Sequence, residues 1–200
     1  ALYSIDTVTV TISIISVNDV PTYTQGTNVT SSENSGTQYF ELWATDINDG
    51  DPIDVQTLTF NVTDNTNPDL FEIQPSLDAS TGTLSYRSTE DTNGSAEVTI
   101  TLNDNGGTAN NGVDTTNPHT FSIEIIPVND PPLFLGGPDI TVFEDSGINI
   151  TEFWATDLND GDPELVQLLS FEVTNNSNQG LFEESPAIDA DGNLSFKPGE

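Results

Sequence analysis

The chain has 200 residues, enough for one or two domains that each bury a core. Two basic residues, Arg87 and Lys197, stand against 33 acidic ones, for a formal net charge of −31. Such a chain repels polyanions and anionic lipid, which excludes nucleic acid as a partner and membrane insertion as a mode of action. It has no cysteine, hence no disulfide, thiol nucleophile or zinc–thiolate centre.

High charge with few hydrophobes would point to disorder, but the apolar residues here alternate and indicate folded β structure. There is no signal peptide and no apolar run long enough to span a bilayer, and the chain does not begin with methionine. It is expected to be an excerpt, with any export signal or anchor elsewhere in a longer protein.

In chain order, Thr7 to Ile14 alternates, with Val8, Val10, Ile12 and Ile14 on one face. A half-buried strand is expected there, ended by Pro21 in Val17-Asn18-Asp19-Val20-Pro21. Seven further short strands are predicted near Thr27–Thr30, Gln38–Ala44, Thr57–Thr63, Leu70–Gln74, Gly82–Arg87, Ala96–Leu102 and Thr120–Ile126. Their spacing of about ten residues, with Gly, Pro, Asn and Asp between them, predicts an all-β fold of tandem Greek-key β-sandwiches. Trp43 and Trp154, each closing a second strand, are read as packing residues rather than sugar platforms.

The chemically loaded stretch is Ala44-Thr45-Asp46-Ile47-Asn48-Asp49-Gly50-Asp51-Pro52. Crowded side-chain oxygens, a kinking Gly50 and a terminating Pro52 fit neither a helix nor a plain strand. Carboxylates this close repel one another unless a cation sits among them, and Asp and Asn oxygens are hard ligands suited to calcium before magnesium. Alone, the stretch reads equally well as a solvated acidic turn. It recurs 111 residues later as Ala155-Thr156-Asp157-Leu158-Asn159-Asp160-Gly161-Asp162-Pro163, and that recurrence favours calcium.

The repetition is general. Val128-Asn129-Asp130-Pro131-Pro132 repeats the Val17–Pro21 sentence, and Glu33 matches Glu144, Trp43 Trp154, Gln56 Gln167, Phe60 Phe171, and Leu70-Phe71 Leu181-Phe182. One residue is lost near Ser80 to Gly82, giving Asp191-Gly192, which a hairpin turn tolerates. Residues 1–20 read as the last strand and linker of a preceding repeat, 21–131 as a complete repeat and 132–200 as an incomplete one.

Other motifs are weaker. Asp46, Asn48, Gly50 and Asp51 approximate an EF-hand loop, but the glycine is one place early and Thr57 stands where the bidentate glutamate belongs. Asp189-Ala190-Asp191-Gly192-Asn193 reads as a hairpin turn, and Asn105-Gly106-Gly107 lacks the repeated nonapeptide of β-roll proteins. His119, the only histidine, is expected to be exposed and has no catalytic partner. Sequons such as Asn28 and Asn61 arise by chance in a chain this rich in Asn and Thr. Paired acids abound, yet they cluster in polar turns rather than an apolar cleft, so no enzyme is expected.

Taken together, the chain resembles the tandem cadherin-like repeats of large bacterial surface adhesins secreted by type I (RTX-type) systems. The resemblance rests on the two Val-Asn-Asp linkers, on Glu33 and Glu144, on Asp46-Ile47-Asn48 and Asp157-Leu158-Asn159 after Ala-Thr, and on Asp104 in Thr101–Gly107. It implies calcium between successive repeats. At one junction Asn18 and Asp19 would meet Asp46, Asn48 and Asp104, with Asp49 and Asp51 nearby. At the other, Glu33, Asn129, Asp130, Asp157 and Asn159 would converge, with Asp160 and Asp162 close in sequence.

Departures from the family pattern reduce the expected count to about one or two ions per junction. Ser16 and Pro127 replace the linker's first aspartate, Val20 and Pro131 its final asparagine, and Glu90-Asp91 only approximates the family's Asp-Arg-Glu. The implied role is a calcium-rigidified extracellular spacer at a bacterial cell surface, projecting a ligand-binding domain for adhesion or biofilm formation. Its partners would be calcium ions and neighbouring repeats. A carbohydrate- or surface-binding β-sandwich is the alternative, for which outward threonine rows are the only hint. Head-to-tail strand complementation in a crystal is also expected, residues 1–16 of one molecule docking into the open repeat of the next.

Overall fold

The computed structural model describes residues 8–162 and 166–200; Thr7 and Pro163, which bound two of the stretches read above, lie outside them. The chain divides into two compact units, Ala1–Ile126 and Pro127–Glu200. Among the described residues no helix is long and apolar enough to cross a membrane.

The first unit contains β1 (Thr22–Thr24), β2 (Val29–Ser32), β3 (Gln38–Phe40), β4 (Thr45–Asn48), β5 (Thr59–Asn65), β6 (Phe71–Leu77), β7 (Leu84–Ser88), β8 (Gly94–Asn103) and β9 (His119–Ile126). They form a four-stranded sheet of order β2-β9-β8-β5, a three-stranded sheet of order β3-β7-β6, and the small β1-β4 pair. β2 runs parallel to β9, while β9, β8 and β5 are antiparallel neighbours.

Period-two alternation explains the core. Ala96, Val98 and Ile100 of β8 and Phe121, Ile123 and Ile125 of β9 all point inward and are essentially inaccessible. Opposite them lie Leu84 and Tyr86 of β7, Phe71 of β6, and Leu70 from a 3-10 turn at Pro68–Leu70 that carries the chain between sheets. Trp43 packs its indole on Phe121 with centroids 4.4 Å apart and donates its Nε1–H to the Thr27 carbonyl at 2.8 Å, a core role. Full burial of each large side chain contributes on the order of 1.5–3 kcal/mol. The result is an all-β sandwich of the Greek-key type.

Two expectations are corrected. Residues 8–14 are in no ladder, and Val8, Val10, Ile12 and Ile14 are 86%, 75%, 81% and 93% exposed. Alternation supplies a face but not hydrogen bonds, which need a partner strand, and none of the described strands pairs with this segment. His119 opens β9 half-buried rather than exposed, its ring tilted against Tyr23 with centroids 5.2 Å apart.

The seven strands predicted from Thr27 onward have counterparts in β2, β3 and β5 to β9. β1 and β4 are additional. β4 covers the head of the acidic stretch and is bulged, with Asp46 at φ +52° and the register slipping opposite Thr22–Thr24.

The second unit contains β10 (Leu133–Leu135), β11 (Asn149–Thr151), β12 (Thr156–Asn159), β13 (Phe182–Ile188) and β14 (Leu194–Pro198), paired as β10-β12 and β11-β14-β13. These reproduce β1-β4 and β3-β7-β6. Asp189 turns the β13–β14 hairpin by accepting the amides of Asp191 and Asn193, as Asp78 accepts those of Ser80 and Thr81 before β7. That hairpin role matches the sequence reading.

Candidate cation site

In the first unit the segment before β1 is tied to the loops that follow β4 and β8. Asn18 donates its side-chain amide to Asp104 Oδ1 at 2.9 Å and to the Val113 carbonyl at 2.8 Å, and its own carbonyl accepts the Val113 N–H. Asp104 Oδ1 also accepts the Gly106 N–H at 2.9 Å. From the acidic stretch, Asp49 accepts the Gln56 N–H at 2.8 Å. Asp51 Oδ1 accepts the amides of Ile53 and Asp54. The Gln56 side-chain amide then donates to both Asn18 Oδ1 (2.6 Å) and Asp51 Oδ2 (3.3 Å).

The second unit builds the same figure 111 residues on. Gln167 donates its backbone N–H to Asp160 Oδ2 at 2.6 Å, and its side-chain amide to Asn129 Oδ1 and, at 2.9 Å, to Asp162 Oδ2.

Gly50 and Gly161 let the turns close. Both sit at positive φ, +82° and +84°, and a Cβ on either would lie 2.4 Å from a linker carbonyl, of Val20 and Pro131 respectively. Asn48 and Asn159 hold these turns by accepting the Gly50 and Gly161 amides at 2.7 and 2.8 Å.

The other sequence-predicted residues are placed as follows. Asp46 accepts the Thr24 hydroxyl at 3.0 Å across the β1-β4 pair, and Asp157, at φ +52°, occupies the matching bulge of β12. Asp19 is exposed. Glu33 is 2% exposed, and its N–H donates to the Ile126 carbonyl at the end of the β2–β9 ladder. Its counterpart Glu144 is exposed, beside a segment that forms no such ladder. Glu33 belongs to the first unit, whereas Asn129, Asp130, Asp157, Asn159, Asp160 and Asp162 belong to the second.

Gln56 and Gln167 are the residues that sequence reasoning missed as part of the site. Their one signal was identical register in the two repeats. An amide can present either its oxygen or its NH2 to a cluster by turning over.

Among the described residues no three acidic or histidine side chains converge as a ready metal cage. The donors nonetheless suit a hard cation. They are oxygens throughout, and Asp104 Oδ2, Gln56 Oε1 and Asp130 Oδ2 are each buried with no hydrogen-bond partner among the described residues. A buried carboxylate oxygen left unpaired is costly in a chain of charge −31, and a cation beside it removes that cost. In both units the glutamine NH2 lies between an asparagine and an aspartate oxygen, a place whose electrostatics favour positive charge. The hydrogen bonds of each figure tie the segment before β1 or β10 to the loops of its own unit.

No protein-family model matches the chain, and no curated protein matches it. Among solved structures the chain is similar to the crystal structure of Drosophila N-cadherin EC1-4, at 11% identity and a TM-score of 0.38, over 94% of this chain and 43% of that one. It therefore spans less than half the length of that structure. It is also similar to the crystal structure of chicken VE-cadherin EC1-2, at 13% identity and a TM-score of 0.33, over 86% of this chain and 80% of that one. These likenesses are loose, and the sandwich assignment rests on the ladders and core described above.

Proposed function

We propose that the chain is a calcium-rigidified spacer made of tandem β-sandwich repeats, non-catalytic and extracellular, that holds a ligand-binding domain of a bacterial adhesin away from the cell. The observation that carries this reading is the recurrence of one oxygen-lined figure in both units. Asn18, Asp49, Asp51, Gln56 and Asp104 compose it in the first, and Asn129, Asp160, Asp162 and Gln167 in the second. Each figure ties the segment preceding a sandwich to that sandwich's own loops, so a cation held there would fix the angle at which the chain enters the repeat.

Calcium is the ion of choice because the ligands are carboxylate and amide oxygens in flexible loops. Binding only the folded form would add stability by mass action and offset part of the acidic self-repulsion. The test is isothermal titration of the calcium-free chain, with small-angle scattering in calcium and in chelator. Saturable calcium uptake with a stiffening of the scattering profile is expected. No uptake at millimolar calcium would reduce the acidic turns to solvated loops and leave a plain binding module as the better reading.

A further inference from the structure

We infer, resting on the calcium reading above, that Gln56 regulates the cation site. Its side-chain NH2 holds the place between Asn18 and Asp51 that a bound calcium takes over, and the amide then turns its oxygen to the ion. Gln56 is anchored at both ends. Its backbone N–H donates to Asp49 Oδ2 at 2.8 Å, and its side-chain NH2 donates to Asn18 Oδ1 at 2.6 Å and Asp51 Oδ2 at 3.3 Å. The remaining side-chain atom, Oε1, is buried with no hydrogen-bond partner among the described residues.

The neighbours dictate which end of the amide faces inward. Turned over with no ion beside it, Oε1 would face the Asn18 and Asp51 oxygens, three acceptors with no proton between them. No basic side chain relieves them: Arg87 bonds Glu72 at 3.0 Å and Lys197 bonds Glu183. Among the described residues Asp49, Asp51 and Asp104 are instead met by amide hydrogens. An amide NH2 carries only a partial positive charge, so a divalent ion displaces it where one is available. The exchange also gives Oε1 a partner, and burial of that oxygen without one is unfavourable.

Gly106 keeps the place open. A Cβ there would lie 2.0 Å from Asn18 Oδ1 and 2.6 Å from Gln56 Nε2, so a larger residue would crowd out the figure. Beside it a hollow of about 290 Å³ is lined by Asn18, Asp51, Asp54, Gln56, Asn105 and Gly106, roomy enough for an ion with its remaining water. Gln167 repeats the arrangement, donating its NH2 to Asn129 Oδ1 and Asp162 Oδ2 and its backbone N–H to Asp160 Oδ2. The residues before the two glutamines differ, Ile53-Asp54 against Glu164-Leu165, while the glutamine itself recurs. The linker is thus braced without calcium, and binding gives up the NH2 bonds, which weakens calcium affinity below what the oxygens alone would set.

The experiment compares the 200-residue chain with Gln56→Glu, which keeps the shape, lacks the NH2 and adds a carboxylate. In chelator the variant is expected to melt about 4 °C or more below the parent, because Asn18 and Asp51 lose their donor. In calcium it is expected to match or exceed the parent, and by isothermal titration to take up one ion about tenfold more tightly. In the parent, the Gln56 side-chain NH2 signals, identified by their loss in the variant, are expected to move upfield in NMR spectra as calcium takes their oxygen partners. A variant that melts with the parent in chelator, one that loses as much in calcium as in chelator, or NH2 signals unmoved at saturating calcium would each overturn the inference. If the parent takes up no calcium, the spacer reading fails by itself and the variant judges the glutamine. Uptake by Gln56→Glu alone then sustains its role as stand-in, and no uptake by either chain overturns that role too.

Discussion

Asp104→Asn separates a cation site from a solvated acidic loop. The carboxylate is 9% exposed; Oδ1 holds Asn18 and the Gly106 amide, while Oδ2 is buried with no partner among the described residues. Asparagine keeps the size and keeps an oxygen for both bonds, but removes the charge. In chelator the exchange is expected to leave stability within about 1 kcal/mol of the parent, since a lost charge interaction is offset by relief of a buried, half-satisfied carboxylate.

In calcium the outcome differs. An ion at a hundredfold its dissociation constant contributes about 2.7 kcal/mol, and for a unit of this size each kcal/mol moves Tm by about 4 °C. The parent is therefore expected to melt about 10 °C higher in calcium than in chelator, and the variant to lose most of that increment. Calorimetry of both proteins under both conditions is the assay. A parent whose Tm ignores chelation, or a variant that loses as much in chelator as in calcium, refutes the reasoning.

Gly50→Ala is expected to cost about 1–3 kcal/mol and to loosen the linker, because a positive φ and the Val20 carbonyl 2.4 Å from the new Cβ act together. Gly36→Ala, at φ +72° with open space around it, isolates the backbone part and should cost about 1 kcal/mol; equal losses in urea unfolding would contradict the clash. Burial pushes the Tyr23 phenol up from 10.0 to about 12. Its raised folded pKa means a stability contribution complete below pH 10.0 and lost as pH climbs through about 12. Tyr23→Phe, removing a buried hydroxyl with no partner among the described residues, is expected to be neutral or stabilising at pH 7 and to flatten the alkaline loss seen by circular dichroism. Asp78 and Asp189 are held below 3.8, chiefly by the Ser80 hydroxyl and the Asn193 side-chain amide respectively. Their contribution is present above the unfolded value and lost as pH falls through the lowered one; carboxyl NMR titrations with midpoints at or above 3.8 would rule this out.

How much was legible beforehand depended on whether a property is local. Alternation at Ala96-Val98-Ile100 and Phe121-Ile123-Ile125 identified strands and their inward faces without coordinates, because side-chain period and burial are properties of the strand itself. The asparagine and glycine of each acidic stretch likewise declared a tight turn, since Asx capping and positive φ are set within a few residues.

Residues 8–14 carry the same alternation and form no strand, for a ladder needs a partner that lies outside the segment. Glu33 and Glu144 share a motif yet differ in burial, because only Glu33 ends a strand paired with β9. Gln56 gave no chemical signal of its own: the oxygens it joins, on Asn18 and Asp51, lie 38 and 5 positions away and meet only when the linker folds back on the sandwich. Inward-facing alternation, tight turns and the supply of hard oxygens are local properties written in the residues themselves; which segments become strands and which oxygens meet was decided by long-range pairing, where hydrogen bonds and burial are satisfied by residues distant in the chain.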